Sequence, residues 1–237
     1  MTINSYLRGL RVVLYYFMEQ NYCNSFKIKL IKTTKTIKQT YTDSEIEKLL
    51  KKPNIKTCEF SEYRTWVMTN FFLGTAVRIS TLLFIKIGDV DLVNNQVVLH
   101  KVKNRNQQII PVSYNLSKII SKYLEIRKGN DEDYLFCSQF GKELNKRSAQ
   151  DCIKDYNNKR GISKSSAHLY RHTFAKRWIL KGGDLFTLQK MLGHSSLDIV
   201  KEYVNIFSEE LDIKYRQYNL LDDFLAKQNG DKIKIES

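Results

Sequence analysis

Apolar residues recur along the first part of the chain at helical steps. Leu7, Leu10, Leu14 and Phe17 form one stripe, which predicts an amphipathic helix over residues 4–20 with Arg8 and Arg11 off the apolar face. Residues 27–40 mix Lys and Thr without a period and read as a basic linker. Thr42-Asp43-Ser44-Glu45 is a capping box ahead of Ile46, Leu49 and Leu50, so a new helix and a new domain are expected to begin near residue 41. Helical spacing continues over residues 61–73 around Trp66, Val67, Phe71 and Phe72. Gly74-Thr75 is expected to interrupt that helix and Ala76 to Ser80 to open the next, which puts Arg78 at a helix junction beside the apolar residues Leu82, Leu83 and Ile85. A cation in that position needs an anionic partner from the protein or a ligand.

From Asp89 the period changes to two. Val90-Asp91-Leu92, Gln96 to Val102 and Gln108 to Val112 predict three short antiparallel strands, with turns at Asn94-Asn95 and Lys103-Asn104-Arg105-Asn106 and Pro111 suited to an edge or strand end. Helical patterns return at residues 116–127, 145–160 and 184–192, the last closed by Gly193, and again at residues 209–228, where Leu211, Tyr215, Tyr218, Leu221 and Leu225 share one face. Between them run a polar loop at residues 131–141 and a loop at residues 163–166 that leads into a helix beginning near His168. The fold class is therefore mainly α with a small three-stranded antiparallel sheet. Two prolines and ten glycines agree with it.

Composition narrows the class of partner. Hydrophobic residues make up 42% of the chain without an apolar run near membrane-spanning length, and no secretory signal pattern opens the sequence, so a cytoplasmic protein without membrane contact is expected. Cys23, Cys58, Cys137 and Cys152 are too scattered for a disulfide framework or a metal knuckle and read as free thiols. The net charge of +14 is unevenly placed: residues 139–181 carry eleven Lys and Arg against three acids, whereas residues 204–237 carry seven acids against five bases. A basic segment of this kind fits a nucleic acid better than it fits a merely soluble surface.

The chemistry gathers in the same basic segment. His168 and Arg171 stand at i and i+3, where an imidazole and a guanidinium share a helix face and could hold a phosphate. His194 follows the break at Gly193, and Tyr203 lies a short helix further on. If the ligand is a DNA phosphodiester, Arg78 and Arg171 would neutralise charge on its oxygens, and Tyr203 would be the nucleophile with His168 drawing off the phenolic proton. Lys103, at the tip of the predicted hairpin, could protonate the leaving oxygen, and His194 could bond a non-bridging one. No acidic metal-ligand cluster accompanies them. His168 and His172 have a zinc-binding spacing, but Leu169 stands where a zinc-protease motif needs Glu, so no metal or other cofactor is expected.

The order Arg, hairpin Lys, His-x-x-Arg, Leu-Gly-His, Tyr resembles the tyrosine recombinases, the phage integrase family. The resemblance runs from about Thr42 to Val204. It rests on Gly74-Thr75-Ala76-Val77-Arg78-Ile79-Ser80, on Lys103 eight residues before Pro111 with Lys101 as nearest competitor, on His168 to Ala175, on Met191 to Ser196 and on Tyr203. Thr81 stands where the family usually has an acid. The resemblance implies catalytic roles for Arg78, Lys103, His168, Arg171, His194 and Tyr203, a 3′-phosphotyrosyl intermediate formed without metal or nucleotide, double-stranded DNA as substrate, and a synapse of protomers. It further implies that residues 1–40 are the end of a core-binding domain, residues 41–208 the catalytic domain, and residues 209–237 a C-terminal helix that docks on a neighbour. A type IB topoisomerase-like enzyme and a non-catalytic DNA-binding member of the fold are the alternative readings.

Overall fold

A computed structural model describes residues 3–31, 39–100 and 107–193. The chain divides into two compact units, Met1–Ile37 and Lys38–Ser237. In the first, helix α1 (Ile3–Glu19) carries the expected apolar stripe but buries none of its residues. The segment after α1 turns at Asn21, whose φ is 59°, and returns to the start of the helix, where the Asn4 amide donates to the Ile31 carbonyl at 2.8 Å and accepts from its N–H at 2.9 Å.

The second unit opens with α2 (Asp43–Leu50), and the capping box is formed as the sequence requires: Thr42 and Glu45 each accept from the other's backbone N–H. Helix α3 (Phe60–Thr75) is the central element. It buries ten of its residues, including Tyr63, Trp66, Met68, Phe71 and Phe72, and so has core on nearly all sides. Helices α5 (Tyr114–Arg127), α6 (Lys146–Asn158) and α7 (Ala167–Leu180) pack around it. Phe72 stacks on Tyr170 of α7 and Tyr123 of α5 stacks on Phe136, with ring centroids 5.7 Å apart in both pairs. The fully buried Asn157 then joins three segments, donating to the Tyr41 hydroxyl at 2.9 Å and to the Lys164 carbonyl at 2.7 Å while accepting from the Tyr170 hydroxyl at 2.8 Å.

The three strands form one antiparallel sheet, β1 (Val90–Asp91), β2 (Gln96–Leu99) and β3 (Gln108–Pro111), in the order β1-β2-β3. Val97, Leu99 and Ile110 face the core, and Pro111 ends an edge strand opposite Gln96. The strands are shorter than the alternation suggested. The predicted hairpin tip, with Lys101 and Lys103, lies outside the described residues, as do His194, Tyr203 and the helix expected over residues 209–228.

The break after α3 differs from expectation in an instructive way. Gly74 and Thr75 remain helical, and the chain turns one residue later at Ala76, which adopts the left-handed conformation with φ 55° and ψ 22°. Gly74 answers a packing need instead: a Cβ there would come within 3.1 Å of Leu116 of α5. Thr75 stays in register by donating its hydroxyl to the Phe71 carbonyl at 2.7 Å. Short α4 (Ile79–Leu83) follows, with Arg78 as its N-cap residue. The last described helix is α8 (Leu185–Leu192), capped by the Asp184 carboxylate and closed by Gly193 in the left-handed region.

The turn at Ala76 is strained and fully buried, which yields a stability prediction. A β-branched side chain tolerates left-handed backbone poorly, so Ala76→Val should lower unfolding free energy by roughly 2–3 kcal/mol in urea denaturation, whereas Ala76→Gly, which relieves the backbone but loses a methyl group, should stay within about 1 kcal/mol of the parent.

Candidate active site

The left-handed turn at Ala76 directs the chain so that Val77 is buried and Arg78 is half-buried, its backbone carbonyl accepting from Leu82 N–H at 2.9 Å as α4 begins. Both terminal nitrogens of Arg78 then lie 3.3 Å from the carbonyl of Gly193. Arg171, on the inner side of α7, is only 5% exposed. One of its terminal nitrogens donates to the Ala76 carbonyl at 2.7 Å and the other to the Leu192 carbonyl. From the sheet, the Gln108 side chain donates to the Lys190 carbonyl at 2.6 Å.

Three side chains from separate parts of the fold thus converge on the end of α8. The cause is electrostatic: carbonyls of a last helical turn lack intrahelical partners and carry the negative end of the helix dipole, so they attract cations and donors. Beneath them Ala76, Ala175, Ile179, Leu188 and Leu192 form a small apolar cluster that locks α7, α8 and the turn together. Gly193 matters for conformation and for space. Its φ is 56°, and a Cβ would approach the Gln108 side chain at 3.3 Å and Arg78 at 3.5 Å.

His168 sits in the first turn of α7, its backbone N–H capped by the Ser166 hydroxyl at 3.2 Å. Its imidazole pKa lies below the usual histidine value. Loss of hydration is the largest cause, followed by the positive charges of Arg171, Lys146 and Arg78. The residue is nonetheless exposed over much of its surface, so that desolvation is partial. At neutral pH the ring is held in its basic form, as proton removal from a substrate or a nucleophile requires. His172 lies one turn on, with ring centroids 6.5 Å apart. Among the described residues, no group of three or more His, Cys, Asp or Glu is arranged to hold a metal ion.

The structure therefore brings together three of the six residues expected from the sequence: Arg78, His168 and Arg171. Lys103, His194 and Tyr203 lie outside the described residues, although His194 directly follows Gly193, where Arg78 points. Sequence reasoning did not single out Lys146 or Gln108. Lys146 opens α6 behind its Asn145 cap, and one base on a basic helix carries no sequence mark of facing a site. Gln108 looked only like the start of a strand.

The sequence model of the phage integrase family matches residues 39–210, well over half of the chain. The chain belongs to the phage integrase family. Among curated proteins it is similar to the tyrosine recombinase XerA of Pyrococcus furiosus, at 28% identity over 82% of this chain and 67% of the relative. It is also similar to the tyrosine recombinase XerC of Herpetosiphon aurantiacus, at 27% identity over 78% of this chain and 61% of the relative, so the aligned part spans about two thirds or less of such proteins. In three dimensions it shares the fold of the Tn1549 transposon integrase, solved in complex with transposon right end DNA, with a TM-score of 0.69 and 18% identity over 95% of this chain and 78% of the integrase. The mainly α fold with its small antiparallel sheet is thus the fold shared with that integrase.

The depressed pKa of His168 gives a prediction with a definite sign. A histidine NMR titration should place this ring below about 6.5, and Lys146→Gln, which removes an exposed cation, should move it upward without unfolding the protein. Well above pH 6.5 the ring is neutral in folded and unfolded chains and contributes nothing to pH dependence. As pH falls from there through the folded value, the unfolded chain binds the proton first and stability is lost, so His168→Gln should lose less stability than the parent over that interval.

Proposed function

We propose that this chain carries the catalytic part of a site-specific DNA recombinase or integrase that cuts and rejoins duplex DNA through its own tyrosine. The observation that carries the reading is the convergence of Arg78 and Arg171, from separate elements, on the end of α8 immediately before His194. A phosphodiester arriving there meets guanidinium groups whose orientation is already set, which is how a preorganised site lowers the barrier to charge development on phosphate oxygens. Tyr203 attacks phosphorus and the 5′ oxygen leaves, giving a 3′-phosphotyrosyl bond and a 5′ hydroxyl. His168, basic at neutral pH, accepts the phenolic proton; Lys103 gives a proton to the leaving oxygen, and His194 bonds a non-bridging oxygen. The charge stabilisation in this scheme comes from side chains, without metal or cofactor. Attack on the phosphotyrosine by a 5′ hydroxyl of another strand completes exchange.

Double-stranded DNA is the partner this scheme requires, and the net charge of +14 suits it. Exchange between duplexes calls for self-association on DNA, for which the apolar stripe of residues 209–228 is the docking element, with residues 1–40 as the end of a DNA-clamping domain and residues 41–208 as the catalytic one. The likeness to a transposon integrase supports a mobile-element role, and a cytoplasmic location follows from where such DNA resides. No described helix is long and apolar enough to cross a membrane.

The reading is tested with a library of nicked duplexes randomised across the cleavage site. The parent protein should give a covalent protein–DNA adduct on a denaturing gel, and Tyr203→Phe should give none. An adduct surviving in that variant contradicts the role of Tyr203, and the absence of adduct with any duplex favours a protein that binds DNA without cutting it. Affinity for the duplex should fall steeply as salt rises, since phosphate contacts release counterions.

A further inference from the structure

Arg64 is a cation in an unexpected place. It lies within α3 and is only 2% exposed, yet none of the ion pairs among the described residues involves it. A guanidinium taken out of water is costly unless opposite charge or hydrogen bonds compensate. Here one terminal nitrogen donates to the Cys137 carbonyl at 2.6 Å, and the other lies 3.3 Å from the sulfur of Cys152 on α6. Its Nε is buried and finds no acceptor. Of the groups that touch Arg64 through hydrogen bonds, only the Cys152 sulfur can take on a negative charge.

Cys152 is a free thiol, partly exposed, on the wall of an open cavity of about 340 Å³ formed by the start of α3 and the second half of α6. Glu59, Glu62 and Asp155 also line this cavity and work against negative charge on the sulfur. Arg64 is in direct contact, however, and Glu62 is engaged by Arg160 at 3.2 Å, so the nearest charge prevails. Cys58 supplies the contrast. It is another free, partly exposed thiol, but loss of hydration and then the Glu62 carboxylate push its pKa up, and no described guanidinium donates to its sulfur.

We infer that Cys152 is a modification site, a thiol set for oxidation by hydroperoxides with Arg64 as the partner of the anion that results. In the step, the sulfur attacks one oxygen of hydrogen peroxide. The S–O bond forms as the O–O bond breaks, and the departing hydroxide takes the thiol proton and leaves as water. Sulfur is oxidised to sulfenic acid and the peroxide is reduced. Negative charge that builds on the sulfur during attack, and on the oxygen of the sulfenate afterwards, meets a guanidinium already held in place by the Cys137 carbonyl. The cavity gives the oxidant its approach. None of this depends on the reaction with DNA.

The test exposes the folded parent protein to hydrogen peroxide at neutral pH, traps sulfenic acid with dimedone, and quantifies the adduct at each cysteine by mass spectrometry after digestion. Cys152 should be labelled about tenfold faster than Cys58 or Cys23, and the preference should vanish in urea, where no fold holds Arg64 against the sulfur. Arg64→Gln, with folding checked by circular dichroism, should bring Cys152 to within about twofold of Cys58. Equal labelling of Cys152 and Cys58 in the folded parent overturns the inference whether or not the variant folds. So does a preference that persists in urea, or one that survives undiminished in folded Arg64→Gln.

Discussion

The carbonyl groups at the end of α8 are the constraint on which the site depends. A helix end carries roughly half a negative charge and exposes carbonyls that must find donors. Here the donors are Arg78, Arg171 and Gln108, drawn from the turn after α3, from α7 and from β3. Two full positive charges more than reverse the sign of the helix end, so a place that would repel an anion becomes one that attracts it. Burying Arg171 at 5% exposure is costly without partners, and the carbonyls of Ala76 and Leu192 offset that cost. The same bonds make the left-handed turn at Ala76 part of the site, since its carbonyl is one of the two that orient Arg171.

This arrangement explains why residues almost a hundred positions apart can act as one group. Arg78 and Arg171 need no contact with each other; both are referred to one helix end, and the small cluster of Ala76, Ala175, Ile179, Leu188 and Leu192 holds that end against α7. Loss of hydration, and after it the charges of Arg171, Lys146 and Arg78, keeps the His168 ring neutral.

Much of this was legible in the sequence where the signal is local. The box at Thr42 and Glu45 specifies a helix start by two reciprocal hydrogen bonds, and Gly193 specifies a helix end by its φ, so both stand where the pattern placed them. Period-two alternation found the sheet, and the spacing of His168 and Arg171 anticipated their place in the first turns of α7. What was not legible depends on packing between distant segments. Gly74 looked like a helix breaker because a glycine does not announce that Leu116 needs its space, and Ala76 gave no hint of the left-handed turn that tertiary contacts impose on it. The roles of Lys146 and Gln108, and the pairing of His100 with Asp89, arise only when the strands and helices are brought together.

The central claim, that the guanidinium groups at the end of α8 neutralise the phosphate under attack, is tested most directly by removing the charge from the substrate. A duplex in which one non-bridging oxygen of the scissile phosphate is replaced by a methyl group has less negative charge to stabilise. Arg78→Ala should slow adduct formation about a hundredfold on the natural phosphate and by less than about tenfold on the methylated one, each measured against the parent protein on the same duplex. An equal loss on both duplexes would contradict the account.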